Sequence, residues 1–204
     1  MSDLFALLRH SLAGLRVLLA ATLLCGIVYP LVVTGVAQAA LGWRADGSLV
    51  TETGGRTDDP DDAVGSALIG QRNGDDRLFF PRPSAAGEGW DTLSTYGSNL
   101  GPEDPGLVKA IKERQREIAA RECVSVDQVP ADAVTTSASG IDPDISPAYA
   151  ALQVSRVARA NGLPVDTVAA LVADHTDGRT FGVLGEPRVN VLELNIAVRA
   201  QRVG

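Results

Sequence analysis

The chain has 204 residues, which is enough for one domain of ordinary size with an appendage. Its formal net charge is −7, and it lacks the basic patch or stripe that a nucleic-acid-binding protein would show. Its two cysteines, Cys25 and Cys123, are too few for a disulfide framework or for a zinc site built from cysteine pairs, so we expect two free thiols.

An uncharged stretch near the N-terminus runs from Val17 to Trp43. As a helix, its roughly 27 residues would be about 40 Å long, whereas the hydrocarbon core of a bilayer is about 30 Å thick. We therefore predict a retained transmembrane helix over residues 15–43, preceded by a short N-terminal segment, 1–14. Pro30 should kink this helix or start a new segment.

A cleaved signal peptide is the rival interpretation of this stretch. Signal peptides have an apolar core of only about 7–15 residues. The uncharged stretch is too long for that class, although the small residues at 37–40 look superficially like a cleavage site.

The charges that flank the span do not decide its orientation. Arg9 and Arg16 precede it, and Arg44 and Arg56 follow it, so the positive-inside count is a tie. His10 and the free amino group favour a cytoplasmic N-terminus slightly.

Residues 44–65 are rich in glycine, threonine and aspartate, and we predict an acidic connecting loop there. Four aspartates around Pro60, here called the acidic cluster, are Asp58, Asp59, Asp61 and Asp62. The EF-hand spacing and its closing glutamate are absent, which favours a solvated loop over a calcium site.

The remaining segment, 66–204, is predicted to be an α/β (α+β) domain. Two short apolar runs at its start, 66–71 and 77–84, are predicted to be strands, because each is flanked by glycine, asparagine, aspartate or proline. The NGDD sequence between the two runs would then form a turn.

Three helix starts follow from capping patterns. Asp104 can cap a helix that begins at Pro105, and Ser146 can cap one that begins at Pro147 and ends near Gly162. Pro164 opens a third helix that ends near Gly178. The last segment, 189–201, fits both a strand and a helix, and we favour the helix.

Two aspartates close together in the sequence, Asp142 and Asp144, raise the question of a metal site. They lie in the approach to the helix that Ser146 caps, where the helix dipole favours carboxylates. A metal site needs more than two ligands, and no cluster of cysteine or histidine lies near them in the sequence. We therefore predict a structural role for both residues and no metal ligand in this chain.

The motifs of common catalytic sites are absent. The sequence contains no GxxxxGK[ST] phosphate loop, no GxGxxG and no GxSxG nucleophile elbow. His175 stands next to Asp174, but no serine or cysteine is identifiable as its nucleophile. We predict that the chain has no catalytic residue. From the residues alone, two readings stay open: an anchored accessory subunit, or an anchored extracytoplasmic sensor or hydrolase.

A series of short motifs along most of the chain resembles one family. The chain is similar to KdpC, the C subunit of the bacterial Kdp potassium-importing P-type ATPase. The order and spacing of the motifs carry the resemblance; they are Tyr29-Pro30 with Thr34-Gly35, GSALIGQ from Gly65, RPSAA from Arg82, GSNLGP from Gly97, DISP from Asp144, Gln153 followed by RVA, and GEPRVNVLELN from Gly185.

Three departures from the family pattern are modest. Arg72 stands where the family usually has an aromatic residue, and Tyr96 replaces a small one. Asp144 stands where the family usually has histidine, which argues further against a required ligand at that position.

The resemblance implies a location and a set of partners. It implies a single-pass protein of the cell membrane with a cytoplasmic N-terminus and an extracytoplasmic domain over 66–204. It implies a complex with a channel-like potassium-binding subunit, an ATP-hydrolysing P-type subunit and a small single-helix subunit, within the lipid bilayer. No nucleic acid is expected as a partner.

The resemblance also implies an accessory function. The family is described as stabilising the complex and as a chaperone that raises the ATP affinity of the ATP-hydrolysing subunit, and Gln153 is the position tied to ATP. ATP and potassium would be handled by the larger subunits, and this chain would hold no cofactor of its own. An external domain cannot touch cytosolic ATP, so any effect of Gln153 would have to travel through the partners.

Overall fold

The structure is a computed structural model that describes residues 2–202, and for residues 2 and 3 it describes the backbone alone. The chain divides between Gly47 and Ser48 into two compact units. The N-terminal unit is one long helical segment, and the second unit is a mixed domain of helices and two small sheets. The predicted fold class, an α/β (α+β) domain behind one apolar N-terminal helix, is confirmed.

The N-terminal unit consists of α1 (Ser2–Leu23), a π-helical turn (Leu24–Val28) and α2 (Tyr29–Ala45). The wide turn lies directly before Pro30, whose ring would otherwise clash with the carbonyl four residues earlier. Within it the Tyr29 N–H donates to the carbonyl of Leu24, five residues back, so the helix passes the proline without a break. A kink occurs later, at Leu41, where φ is −140° and ψ is 35°.

This helical segment has the composition of a membrane span. From Leu4 to Ala45 it covers 42 residues, and its most apolar stretch has a mean hydropathy of 2.3 with no residue buried by the rest of the chain. At about 1.5 Å per residue, that length exceeds the roughly 30 Å of a bilayer core. The uncharged stretch from Val17 to Trp43 is therefore the part suited to the hydrocarbon.

The domain begins with a hairpin, β1 (Leu49–Thr51) and β2 (Ala63–Ser66), which pair antiparallel with Leu49 opposite Ser66. The sequence predicts a connecting loop over 44–65, whereas β1 lies within that range and β2 ends one residue beyond it. Val50 is buried because it faces the domain core, and alternation along so short a strand leaves little signal in the sequence. The acidic cluster lies exposed in the loop that joins the two strands.

A second, three-stranded sheet has the order β3 (Asp144–Ile145), β5 (Arg188–Asn190), β4 (Thr176–Asp177), and both pairings are antiparallel. The helices of the domain are α3 (Pro105–Glu122), the short α4 (Ala131–Val134), α5 (Pro147–Asn161), α6 (Val165–Asp174) and α7 (Val191–Gln201), with a 3-10 turn at Val126–Gln128. Helix α5 packs on α3, α6 and β5, so it occupies the centre of the core.

The predicted helix ends are confirmed at the level of single hydrogen bonds. The Asp104 side chain accepts from the N–H groups of Gly106 and Leu107, and Pro105 starts α3. Ser146 accepts from the Tyr149 N–H at the start of α5. Gly162 ends α5 with φ at 67°, a left-handed conformation that glycine adopts without strain.

The segment 189–201 forms α7 from Val191 onward, so the preference for a helix there is confirmed. Asn190 caps the helix by accepting from the Glu193 N–H at 3.1 Å. The alternating pattern in the sequence arises because both faces of the helix meet apolar neighbours; its buried residues are Val191, Leu194, Asn195, Ile196 and Val198.

The two strands predicted over 66–71 and 77–84 are wrong. Strand β2 ends at Ser66, and the residues after it form turns and irregular backbone. Leu78 and Phe79 are buried, but they follow a turn and belong to none of the strands in the described residues. Their apolar side chains indicated correctly that they are buried. The backbone of Phe79 and Phe80, however, is bonded by side chains of helices and not by a neighbouring strand.

Candidate functional site

Gln153, the residue to which the family resemblance assigns a site role, lies on the buried face of α5. The apolar residues at helical spacing around it, Ala150, Val154 and Val157, turn this face toward the core. Gln153 itself is 0% exposed. A fully buried amide requires hydrogen-bond partners inside the protein.

Those partners belong mainly to the backbone of Phe80. The Phe80 N–H donates to Gln153 Oε1 at 2.8 Å, and Gln153 Nε2 donates to the Phe80 carbonyl at 3.2 Å. The glutamine side chain therefore bonds to both backbone groups of one residue, as a neighbouring strand would. Arg156 adds a third bond, from Nη2 to Gln153 Oε1, at 2.8 Å.

Asn195 of α7 binds the preceding residue in the same way. The Phe79 N–H donates to Asn195 Oδ1 at 2.7 Å, and Asn195 Nδ2 donates to the Phe79 carbonyl at 3.0 Å. Asn195 was not among the residues predicted from the sequence to have a role. Its signal was an amide inside the apolar VLELNIAV segment, where a polar residue must find a buried partner.

A buried ionic cluster continues from Gln153. Glu122, the last residue of α3, has a fully buried side chain and accepts from Arg156 Nε at 3.1 and 3.0 Å. Arg121 Nε also donates to Glu122, at 2.7 Å. Two guanidinium groups thus neutralise one buried carboxylate, which would otherwise be strongly destabilising at this depth.

The same two arginines enclose the ring of Phe80. The guanidinium carbon lies 4.1 Å from the ring centre for Arg121 and 5.0 Å for Arg156, within the range of cation–π attraction. Arg156 also donates to the carbonyls of Asp76 and Leu78, the latter at 3.0 Å. Helices α3, α5 and α7 together fix the path of residues 76–80, here called the clamped segment.

Tyr149 closes the cluster on the side of α5. Its hydroxyl accepts from Arg121 Nη2 at 3.1 Å. Burial raises the pKa of Tyr149 above its ordinary value, so the phenol stays neutral at physiological pH. The arrangement is one of positioning groups, and it offers no ionised nucleophile or base to a ligand.

Asp142 and Asp144 each pair with an arginine. Asp142 lies 2.8 Å from Arg82 Nη1, and its second oxygen accepts from the Asp144 N–H at 3.1 Å. Asp144 lies 3.2 Å from Arg188 Nε, on the neighbouring strand. Burial, and then the charge of Asp142, raise the pKa of Asp144. Within residues 4–202 no group of three or more histidine, cysteine, aspartate or glutamate residues is placed to hold a metal ion.

The other residues singled out from the sequence lie apart from this cluster. His175 follows the last turn of α6, and its Nδ1 lies 2.8 Å from the Leu171 carbonyl, so it caps its own helix. Cys25 and Cys123 are free thiols, as expected, and both are exposed.

Comparison with known proteins gives a consistent result. The family model described as "KdpC: K+-transporting ATPase, c chain" matches residues 11–200. A protein of Kineococcus radiotolerans is 50% identical over 194 residues, which cover 95% of each chain, and one of Beijerinckia indica is 45% identical over 195 residues, 96% of this chain and 95% of the relative.

A Mycobacterium tuberculosis protein is 45% identical over 191 residues, 93% of this chain and 97% of the relative. All three relatives carry the name potassium-transporting ATPase KdpC subunit. Matches of this length include the N-terminal helix as well as the domain with the clamped segment. The chain therefore belongs to the KdpC family.

Proposed function

We propose that this chain is the accessory subunit of a potassium-transporting ATPase, anchored by its N-terminal helix and contributing structure rather than chemistry. The observation that carries the proposal is the family match from residue 11 to residue 200. The chain is a non-catalytic subunit, which sets aside the alternative of an extracytoplasmic hydrolase or sensor. ATP hydrolysis and potassium binding then belong to other subunits.

The partners in this proposal are a channel-like potassium-binding subunit, an ATP-hydrolysing P-type subunit and a small single-helix subunit. The anchor supports contact with other membrane helices. Gly26 and Gly35 have nothing within 4 Å of the position where a side chain would begin, so another helix can approach the backbone there.

The proposed topology has residues 1–14 in the cytoplasm and the domain outside. Cysteine labelling tests it in a variant that lacks Cys25 and Cys123 and carries Gly101→Cys, at an exposed site with nothing within 4 Å. An impermeant thiol reagent should label intact cells. Labelling only after the cells are opened would contradict the topology.

A role in raising ATP affinity belongs to the same proposal, and the geometry restricts its form. Gln153 is fully buried and bonded to Phe80 and Arg156, so a nucleotide could reach it only by displacing the clamped segment. We therefore propose that any effect of Gln153 on ATP passes through the shape of the domain surface that meets the partners.

The function is tested by purifying the transport complex with and without this chain. With it, the membrane complex should show potassium-stimulated ATP hydrolysis, and without it that activity should fall or the complex should dissociate. The chain alone should hydrolyse no ATP with magnesium. A complex that assembles and transports normally in its absence would refute the proposal.

A further inference from the structure

A cavity of about 270 Å³ lies beside the buried cluster, between α3, α5 and the residues that follow the clamped segment. Phe80, Arg121 and Tyr149 border it, whereas Gln153 does not. Its remaining walls carry two further arginines, Arg82 and Arg114, and the ring of Trp90. Its volume is close to the lower end of small-ligand sites.

The arginines differ in how far they are neutralised. Arg82 pairs with Asp142, and Arg121 pairs with Glu122. Arg114 is half-buried and donates to two uncharged acceptors, the Val134 carbonyl at 3.0 Å and Thr136 Oγ1 at 3.1 Å. No carboxylate in residues 4–202 lies within the 4.0 Å of an ion pair with it.

Arg82, the second arginine at the cavity, also has a donor without a partner among the described residues. Nε of Arg82 is buried and has no hydrogen-bond partner within the described part of the chain. A buried donor of this kind costs free energy unless a ligand or water satisfies it. Arg114 borders the cavity from α3 and Arg82 from the loop after the clamped segment, and guanidinium donors are suited to a planar or tetrahedral group of oxygens.

The wall opposite the helices is held in a strained conformation. Trp90 has φ at 58°, which is rare for a bulky residue, and Ser84 Oγ fixes it by accepting from the Trp90 N–H at 2.8 Å. The same hydroxyl accepts from the Ala86 N–H at 3.1 Å and donates to the Gly140 carbonyl at 2.5 Å. Residues held in such conformations are found more often at binding and active sites than elsewhere.

From these observations we propose that the cavity binds an oxyanion, a carboxylate or phosphate group, through Arg114 and Arg82. The group comes either from a small free anion or from an acidic side chain of a neighbouring subunit. Glu117 is the carboxylate among the lining residues, and it is exposed, so it weakens the site without filling it.

The first test is calorimetric titration of the full chain in detergent micelles with inorganic phosphate at low ionic strength. Saturable binding should weaken about tenfold or more in Arg114→Gln, because a charge-assisted hydrogen bond is lost. Arg116→Gln is the matched control: Arg116 is exposed on the same helix, does not border this cavity, and should leave binding unchanged. Glu117→Gln should tighten binding.

The second test identifies the source of the anion by co-purifying each variant with its transport complex. If phosphate does not bind but Arg114→Gln is released from the complex while Arg116→Gln is retained, the oxyanion belongs to a partner. Circular dichroism of each variant shows whether it is folded. Arg114→Lys keeps the positive charge and loses the planar guanidinium, so it shows whether binding needs the guanidinium itself. Equal phosphate binding by the wild type and Arg114→Gln, or no binding together with normal retention of Arg114→Gln, would overturn the proposal.

Discussion

Ser146 shows how much one small residue contributes at a helix end. Its Oγ accepts from the Tyr149 N–H at 3.0 Å and donates to Asp132 Oδ1 at 2.8 Å, while its own N–H donates to Asp132 Oδ2 at 2.8 Å. The cap therefore joins α4 to α5. The sequence pattern predicts the cap itself, but it carries no sign of the bond to Asp132, since that residue is 14 positions away.

We predict that Ser146→Ala lowers the free energy of unfolding by roughly 0.5–2 kcal/mol, because the cap is lost and Asp132 loses a donor. Denaturant unfolding of the full chain measures the change. Ser155→Ala is the control, since Ser155 is exposed within the same helix and should change stability little. Equal effects of the two substitutions would argue against the capping role.

Asp144 provides a pH-dependent prediction. Since its pKa is higher in the folded state than in the unfolded state, its contribution to stability is greatest in acid and is lost as the pH rises through the folded pKa. Asp144→Asn cannot ionise. The stability of the variant relative to wild type should therefore increase between about pH 3 and pH 7, as unfolding at a series of pH values would show.

Transport should change little in the same variant, because Asp144 bonds within the domain to Arg188 and is not placed for a metal. A relative stability that decreases toward neutral pH would contradict the role of burial. A complex that assembles normally but loses potassium transport with Asp144→Asn would contradict the structural role.

At the scale of elements, the clamped segment explains why the apolar run at 77–84 resembles a strand. Leu78 and Phe79 within it are buried, but the backbone of Phe79 and Phe80 is bonded to side chains of α5 and α7. The local sequence indicates that Leu78 and Phe79 are buried. Gln153 lies 73 positions from Phe80, and Asn195 lies 116 positions from Phe79. The local sequence gives no indication that these two side chains take the place of a neighbouring strand.

We predict that Gln153→Ala destabilises the domain by roughly 2–4 kcal/mol, since it opens a small cavity and leaves both backbone groups of Phe80 unpaired. Hydrogen exchange should increase first at the Phe80 N–H, which loses its acceptor. Gln153→Glu keeps the acceptor for Phe80 and Arg156 and should cost less, and Gln115→Ala on α3 serves as a control. Unchanged stability with a loss of ATP affinity in the complex would instead favour direct nucleotide contact.

At the scale of the whole molecule, the formal net charge of −7 includes an acidic cluster that is exposed between β1 and β2. Such a cluster, if it lies near an ion entrance of a partner, raises the local cation concentration. The alternative is that the acidic residues only keep the domain soluble. The two explanations differ in their salt dependence, because salt screens the attraction of cations to the cluster and has no such effect on a solubilising role. The Debye length is about 8 Å at physiological ionic strength.

We predict that changing all four aspartates of the acidic cluster to asparagine raises the apparent potassium KM of the complex at low ionic strength, and that the difference shrinks as an inert salt is added. Uptake measured over a series of salt concentrations tests this. The control neutralises four exposed carboxylates elsewhere: Glu103, Asp127, Asp166 and Asp174. A KM that stays constant at every ionic strength would exclude a focusing role.

The sequence by itself determined the features that depend on neighbouring residues. The long uncharged run defined the anchor, because spanning a bilayer is a matter of length and apolarity. Capping residues defined the starts of α3 and α5, because a cap acts within three or four positions. The ordered motifs defined the family.

Only the tertiary structure decided the features that depend on distant residues. It replaced two predicted strands by the clamped segment, and it placed the hairpin β1–β2 where a loop was expected. It brought Glu122 between Arg121 and Arg156, and it brought Arg82 and Arg114 to the border of one cavity. A buried polar group is recognisable in a sequence only by its residue type, whereas its role is set by the partner that the fold brings within hydrogen-bond distance.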